Sequence, residues 1–492
     1  MSTEVSNDMC QSAHTVTAIA WIGRGIASSE PQTIAIDTST LKQLIDSGGG
    51  GVDETTDSDA PEENEERARG SAPKKESTPT DPSNSDDKYN MDDYDKEVMS
   101  GPSMKGLAVF ASQQEDPYIT SHKDDSEDER ETEAMKIRSN DNLAVVGKFD
   151  GDDATMLVYL YNAESGDFYV HHDYPICAPI LCLEPIGYDP GVDSKKGNLI
   201  GVGTMEPTIE IWDLDIVNAV KPVVKLGCSQ NSNQKRKKRD GSAQCHTDAV
   251  LSLSWNREAD HLLASGGADE MVVLWDLDAA KVAQNLPRYN GMVQSLEWQP
   301  NQSSILLAGT RTGKVRLDDG RLDSPVAEWS FDESDELEVE MLRWNKQNDH
   351  FAFVLTSDGK LRYLDTRKPN ELVFEVQAHE SEASSLALSA TPGLVVTAGG
   401  EEARFWQLNK SNGRLNLVGN RQFHLSKIRA AAFCPDVPSM LLLGGEKENL
   451  IHLYDVARHP ACAETFPNLK PTTELQTEES EAPEVEDVEM DE

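Results

Sequence analysis

The chain has 492 residues, with 87 acidic against 45 basic side chains and a net charge of −42. That balance excludes broad nucleic-acid binding, and no run of about 18 apolar residues is present to span a membrane. Seven cysteines without a Cys-x-x-Cys pair, and a polar start, MSTEVSNDMCQSAH, predict reduced thiols and an intracellular site.

The segment VTAIAW at 16–21 alternates as a half-buried strand does. Thr38, Ser39 and Thr40 before Leu41, Leu44 and Ile45 predict a short capped helix packed on the domain by one apolar face. From Ser47 to about Lys105 the composition is Gly, Ser, Pro, Asp and Glu, too polar to order itself. Residues 46–133 carry 26 acids against 9 bases. Within them GLAVFAS at 106–112 and DPYIT at 116–120 are apolar islands expected to anchor the insertion. Thr56, Ser83 and Ser126 precede acids, the context acidophilic kinases favour, and are phosphorylation candidates.

Strand patterns resume with NLAVVG at 142–147 and MLVYLYN. His171 and His172 are adjacent on a strand, so their rings should point to opposite faces and not share a metal. Cys177 and Cys182 are too isolated for a zinc site. Past TIEIWDL, five consecutive cations, Lys235, Arg236, Lys237, Lys238 and Arg239, occupy a loop. A nuclear-import signal is the first reading, a local phosphate contact to RNA or DNA the second, and a solvated loop the third.

Residues 246–277, HTDAVLSLSWNREADHLLASGGADEMVVLWDL, then give three short strands with turns between them. Such a unit cannot bury both faces alone. Trp255 at the end of the first strand is followed by Trp298, Trp344, Leu388 and Phe433, at steps of 43 to 46 residues. A second marker keeps the same beat: Trp275-Asp276, Leu317-Asp318, Leu364-Asp365, Trp406-Gln407 and Tyr454-Asp455. Stepping back gives Trp212-Asp213, with Pro185 at the first-strand Trp position, and then Tyr161-Asn162. The innermost strand of that earliest unit is the distant VTAIAW. These are WD-repeats. The predicted fold is an all-β, seven-bladed WD-repeat β-propeller, its first blade split by a long acidic disordered insertion. The predicted division is an N-terminal segment 1–29, the insertion 30–139, the propeller 140–467 and an acidic disordered tail 468–492. ACAETF is expected to supply the last outer strand.

His246, Ser265, Asp269 and Trp275 carry the types of a catalytic set, but their spacing is that of the buried hydrogen-bonded tetrad of a WD-repeat. His379 and His424 recur at the same loop position, and a catalytic set would not repeat. Blades lacking the full set, with Arg311, Glu401 or Glu448 near the Asp position, are expected to be held by packing alone. With no phosphate loop, dinucleotide turn or paired-carboxylate site, no catalytic residue, cofactor or metal is expected. Arg321 in LDDGR and Arg367 in LDTR resemble the arginine after Trp-Asp in substrate receptors of a ubiquitin-ligase class, with Leu in place of Trp.

The whole arrangement resembles the periodic tryptophan protein 1 family. The resemblance rests on TVTAIAWI, GLAVF with EDPYIT, DNLAVVG, FYVHHD, IEIWDLDIV, the basic loop and HTDAVLSLSWN. It implies a nuclear and nucleolar scaffold in ribosome biogenesis, acting in large-subunit assembly and precursor-rRNA processing. The implied partners are ribosome-assembly factors and the pre-ribosomal particle, with the chain a monomer inside a larger complex. It also implies a rival role, a chromatin- or histone-binding regulator of ribosomal RNA gene transcription. Any RNA contact would be local.

Overall fold

The computed structural model describes residues 14–34, 135–227 and 245–473, apart from residues 152, 193, 332–336, 370, 410–412 and 447–450. The expected helix after Thr40, the two apolar islands, Thr56, Ser83, Ser126, the basic run at 235–239, Glu448 and the acidic tail lie outside the described residues.

Among the described residues seven antiparallel sheets follow one another along the chain, six of four strands and the last of three. Blade 1 joins β1 (His14–Ile22), β2 (Asp141–Asp150), β3 (Asp153–Asn162) and β4 (Phe168–Ile176). β1 pairs with β2 over 118 intervening residues, so the first blade is split. The second strand of every blade is apolar on both faces, as a strand buried between neighbouring sheets must be; LVVTAG at 394–399 is fully buried.

The register explains the tryptophan rhythm. In blade 3, Trp255 at the end of the innermost strand (Val250–Trp255) pairs with Leu263, which pairs with Trp275. Pro185, Ile200 and Trp212 line up the same way in blade 2. The ends of the first and third strands of each blade therefore share one face of the ring, called here the tryptophan face. The loops before the innermost strands, with His246 and His379, lie on the other, the histidine face.

Three innermost tryptophans, Trp21, Trp298 and Trp344, each rivet their blade to the one before. Trp298 Nε1 donates to Ser254 O at 3.1 Å and Trp344 Nε1 to Glu297 O at 3.0 Å. Trp21 Nε1 makes the same bond to Ala432 O of blade 7 at 3.1 Å, closing the ring across 411 residues of sequence. At that seam Val16 N donates to Gly445 O at 3.0 Å, and Asp436 accepts from Arg24 N and Asn142 Nδ2. Blade 2 has Pro185 where the others have a large side chain, and there Trp255 turns back to Asp260 O of its own blade.

Four expectations are corrected. ACAETF is not a strand: Pro460–Thr465 forms a short helix, α1, because Pro460 lacks the N–H a sheet needs but suits the first helical turn. The fourth-blade marker is shifted by one residue, since Trp298 pairs with Leu306 and Leu306 with Asp318; Asp318 stands at the tryptophan position and Asp319 at the aspartate position. The histidines of β4 do not diverge. A bulge opposite Val158 and Tyr159 leaves His171 unpaired and turns both rings together, with Nδ1 atoms 2.7 Å apart. His172 then reaches the Tyr174 hydroxyl at 3.0 Å, which ties this edge to Ile216 O. Lastly, Cys245 is disulfide-bonded rather than reduced, while Cys177, Cys182, Cys434 and Cys462 are free.

Candidate functional site

Blade 3 brings all four tetrad residues together. Trp275 Nε1 donates to Ser265 Oγ at 2.7 Å, His246 Nε2 lies 2.7 Å from the same oxygen, and His246 Nδ1 lies 3.0 Å from Asp269 Oδ1. Ser265 and His246 are buried, so every link removes a polar group from an otherwise dry site. Gly267 is required beside it, since a Cβ there would sit 2.6 Å from His246 Nδ1. Burial would raise the Asp269 carboxyl. The hydrogen bond and charge of His246 and the N–H groups of Thr247 and Met271 outweigh it and hold Asp269 below the usual carboxylate range. Ser265 is saturated by the indole, the imidazole and Val273 O, an arrangement that holds a loop and exposes no nucleophile.

Blades 4 to 6 are not held by packing alone. Each carries an arginine two residues before its third-strand marker, Arg316, Arg362 and Arg404, opposite Ala308, Val354 and Thr397. Arg316 donates to Pro287 O at 2.7 Å and Arg288 O at 3.2 Å, and stacks 3.4 Å from the Tyr289 ring centre. Arg404 donates to Ala378 O at 2.9 Å, and Arg362 sits 4.9 Å from the Phe331 ring while paired to Asp358 and Glu375. Residues 287–289, 331 and 378 all precede the innermost strand of their blade. A guanidinium thus does what the His246–Asp269 pair does in blade 3: it ties the entering loop to the sheet. In blade 4, Asp318 Oδ2 completes the set, 2.8 Å from Arg316 Nε and 2.5 Å from the Tyr289 hydroxyl. The repeated arginine in KVRLDD, KLRYLD and EARFWQ was the sequence signal for it.

Blade 6 keeps three tetrad positions, with His379 Nε2 3.0 Å from Thr397 Oγ1 and Trp406 Nε1 donating to the same oxygen at 2.9 Å. Burial, helped by the charge of Arg404, lowers the His379 pKa to about 4. The unfolded imidazole protonates near pH 6.5 while the folded one stays neutral. Stability from this site is complete above pH 6.5 and lost as pH falls toward 4. Denaturant titrations should show His379→Gln losing less stability than the parent over that interval, by on the order of 3 kcal/mol.

Two further features lie on the tryptophan face. Arg321 and Arg367 each clamp their own aspartate bidentately, Nη2 to Asp319 Oδ2 at 2.6 Å and to Asp365 Oδ2 at 2.8 Å, with the guanidinium edges exposed. Nearer the axis, half-buried Glu184 of blade 2 and Glu297 of blade 4 accept the N–H of Trp255 and Trp344, at 3.0 and 2.7 Å. Burial pushes Glu184 to about 7, opposed by Arg257 and Arg343. Arg343 lies on the innermost strand of blade 5, so Glu184 feels the charge of a blade that is not its neighbour in the chain. On the histidine face Glu338 pairs with Arg311 and Glu382 with Lys427, each at 2.7 Å, and burial, with the charges of Glu338 and Glu382, raises the Glu340 carboxyl against Lys427 and Arg429. Among the described residues no group of three or more His, Cys, Asp or Glu could hold a metal ion, and no helix is long and apolar enough to cross a membrane.

Repeating four-stranded blades, a Trp–Ser–His–Asp tetrad and a ring closed through its first strand define a WD-repeat β-propeller. A family profile described as "WD domain, G-beta repeat" matches residues 238–276, the blade that keeps the whole tetrad. The chain is 32% identical over 92% of its length to "Periodic tryptophan protein 1 homolog" of Drosophila melanogaster, covering 96% of that protein. It is 30% identical to a WD repeat-containing protein of Schizosaccharomyces pombe, over 92% of this chain and 90% of that one. It is 26% identical to "Periodic tryptophan protein 1" of Saccharomyces cerevisiae, over 92% and 89%. The chain belongs to the periodic tryptophan protein 1 family.

Proposed function

We propose that this propeller is a non-catalytic nuclear and nucleolar scaffold in ribosome biogenesis, serving large-subunit assembly and precursor-rRNA processing. Family membership over 92% of the chain carries the reading. A riveted ring suits it, because rigid blades hold the loops of several surfaces at fixed separation. The basic run 235–239 supports nuclear import, and phosphorylation at Thr56, Ser83 or Ser126 would deepen the acidic charge without creating fold. The test is sedimentation of nuclear extract on sucrose gradients. The protein should travel with large-subunit precursors, and a chain with Lys235 through Arg239 replaced by Ala should fail to enter the nucleus. A protein found only in the light fractions would overturn the assembly role.

The second reading, a histone-binding regulator of ribosomal RNA gene transcription, is favoured by the glutamates of the histidine face. It requires salt-sensitive binding of purified histone that weakens when Glu338, Glu340, Glu380 and Glu382 become Gln.

A further inference from the structure

The histidine pair of β4 belongs to a series of hydrogen bonds that crosses from blade 1 to blade 2. His171 Nε2 lies 3.1 Å from Met135 O, its Nδ1 lies 2.7 Å from His172 Nδ1, and His172 Nε2 lies 3.0 Å from the Tyr174 hydroxyl. That hydroxyl ends on the carbonyls of Ile216 at 2.9 Å and Asp213 at 3.2 Å. His172 and Tyr174 are buried, and Trp212 packs on the Tyr174 ring. Both ends of the series sit where the insertion joins the propeller. Met135 precedes β2 on the returning side, and Ile137 N donates to Ser29 O on the outgoing side at 3.2 Å. The Ile216 loop grips that outgoing side as well. Asp215 O accepts from Gln32 N at 2.6 Å, Gln32 O from Val217 N at 3.0 Å, and Asn218 Oδ1 from Ile34 N at 2.7 Å.

The series is one proton short. Carbonyl oxygens only accept, so the four links from Met135 to Ile216 need four protons, while neutral His171, His172 and Tyr174 bring one each. Every neutral arrangement therefore leaves one link in which two lone pairs face each other. When the outer links are filled toward both carbonyl ends, that link is the one between the two Nδ1 atoms, at 2.7 Å. A metal ion does not suit the gap, since two ligands of a tetrahedral ion at about 2.0 Å stand about 3.3 Å apart. Among the described residues no third His, Cys, Asp or Glu joins them. A single extra proton suits it and saturates all four links. Burial opposes that proton, lowering His171 and taking His172 to about 3, with the charge of His171 as the second cause. Sharing removes the second cause, because the pair then carries one charge and not two. Asp141 at the start of β2 favours a proton on His171, and Asp213 and Asp215 face Tyr174 from blade 2. The exposed charges on the same segments are Glu30, Lys136, Arg138 and Asp173.

We propose that His171 and His172 share one proton between their Nδ1 atoms, and that this proton clasps both ends of the insertion to blades 1 and 2, loosening them where it is lost. With it, Met135, β4 and the Ile216 loop are joined by unbroken donor–acceptor links through buried groups, and such links strengthen one another. Without it, the facing lone pairs are relieved only by parting the rings or by giving up a carbonyl at one end, Met135 or Ile216. Either move slackens a point at which the insertion is held.

Side-chain nitrogen NMR of the full-length chain with 15N-labelled histidine tests this, the two rings being assigned with His171→Gln and His172→Gln. Near pH 7 both Nε2 atoms should be protonated and both Nδ1 atoms should show the averaged shift of one shared proton, lost in a single step at higher pH. Stability gives a second reading whose sign separates the cases. A pair held above the ordinary histidine value contributes stability that is complete below about pH 6.5 and lost as pH rises through its titration, whereas burial alone gives a loss as pH falls. The stability difference between the parent and His171→Gln in urea should therefore narrow from about pH 7 to about pH 9. Over that interval, amide exchange of residues 135–141 and of Val217, corrected for base catalysis, should rise at least about fivefold in the parent and not in the variant. Two neutral rings near pH 7, or a stability difference that widens with pH, overturns the proposal. So does a shift of both Nδ1 signals with stoichiometric Zn2+, which would make the pair a metal site.

Discussion

Trp21→Ala is expected to lower the free energy of unfolding by about 3–5 kcal/mol in urea titrations, and to open the ring at one place. Trp21 is 9% exposed, packs edge-on to Tyr161 at 6.0 Å and donates to Ala432 O. Truncation removes a large buried side chain and leaves a carbonyl of blade 7 without its donor. Other innermost strands run on directly into their second strands. β1 ends at Ile22 and its partner β2 begins at Asp141, so chain connectivity does little to hold β1 in place once its contacts weaken. Hydrogen exchange should therefore accelerate in β1 and in the strands Ala430–Phe433 and Met440–Gly444. In Trp298→Ala, which loses an equivalent bond in the interior of the ring, faster exchange should stay within blades 3 and 4. A uniform rise in exchange around the ring, or a cost below about 1 kcal/mol, would show that the seam is not closed by this strand. Gly444→Ala approaches the seam from the other side, because a methyl there would overlap Val16.

Ring closure was legible because its carriers are periodic. Trp255, Trp298 and Trp344 repeat at the end of the innermost strand, and Trp21 shares the offset from its valine, so an outlying segment could be placed in a sheet 118 residues away. What defeated the sequence pattern was substitution within the rhythm. Leu317-Asp318 reads as an eroded Trp-Asp, yet the pairing puts Asp318 itself at the tryptophan position, because nothing in a one-letter pattern says that a carboxylate is replacing an indole. The arginines failed for a related reason. Arg316, Arg362 and Arg404 alternate into the sheet like the valine of blade 3, and their burial is paid by carbonyls of loops that are remote in sequence. At β4 the error was local: strict period-two alternation separates His171 from His172, and one bulged residue reunites them. The helix at Pro460 was within reach, since a proline just before a presumed outer strand already argued against pairing there.

The blade 4 unit gives the second large effect. Asp318→Leu should cost about 3–5 kcal/mol, because Arg316 and the Tyr289 hydroxyl are left buried with their shared acceptor gone. Tyr289 does not compensate by ionising, since burial, the largest influence on it, raises its pKa well above the ordinary value and persists in the variant. Arg316→Met should cost a similar amount, as it frees the carbonyls of Pro287 and Arg288 and strands Asp318 without a counter-ion. The pair together should not. Arg316→Met with Asp318→Leu removes both charges and refills the volume with apolar atoms, so a double-mutant cycle by urea denaturation should return a coupling energy of about 2–3 kcal/mol. The double variant should then be more stable than either single one. Additive costs would mean that the arginine acts only through its stacking on Tyr289, and the loop-tying role assigned to it in blades 4, 5 and 6 would fail with that result. Retained coupling would mean that a blade without its tryptophan is held by a buried ion pair in the indole's place.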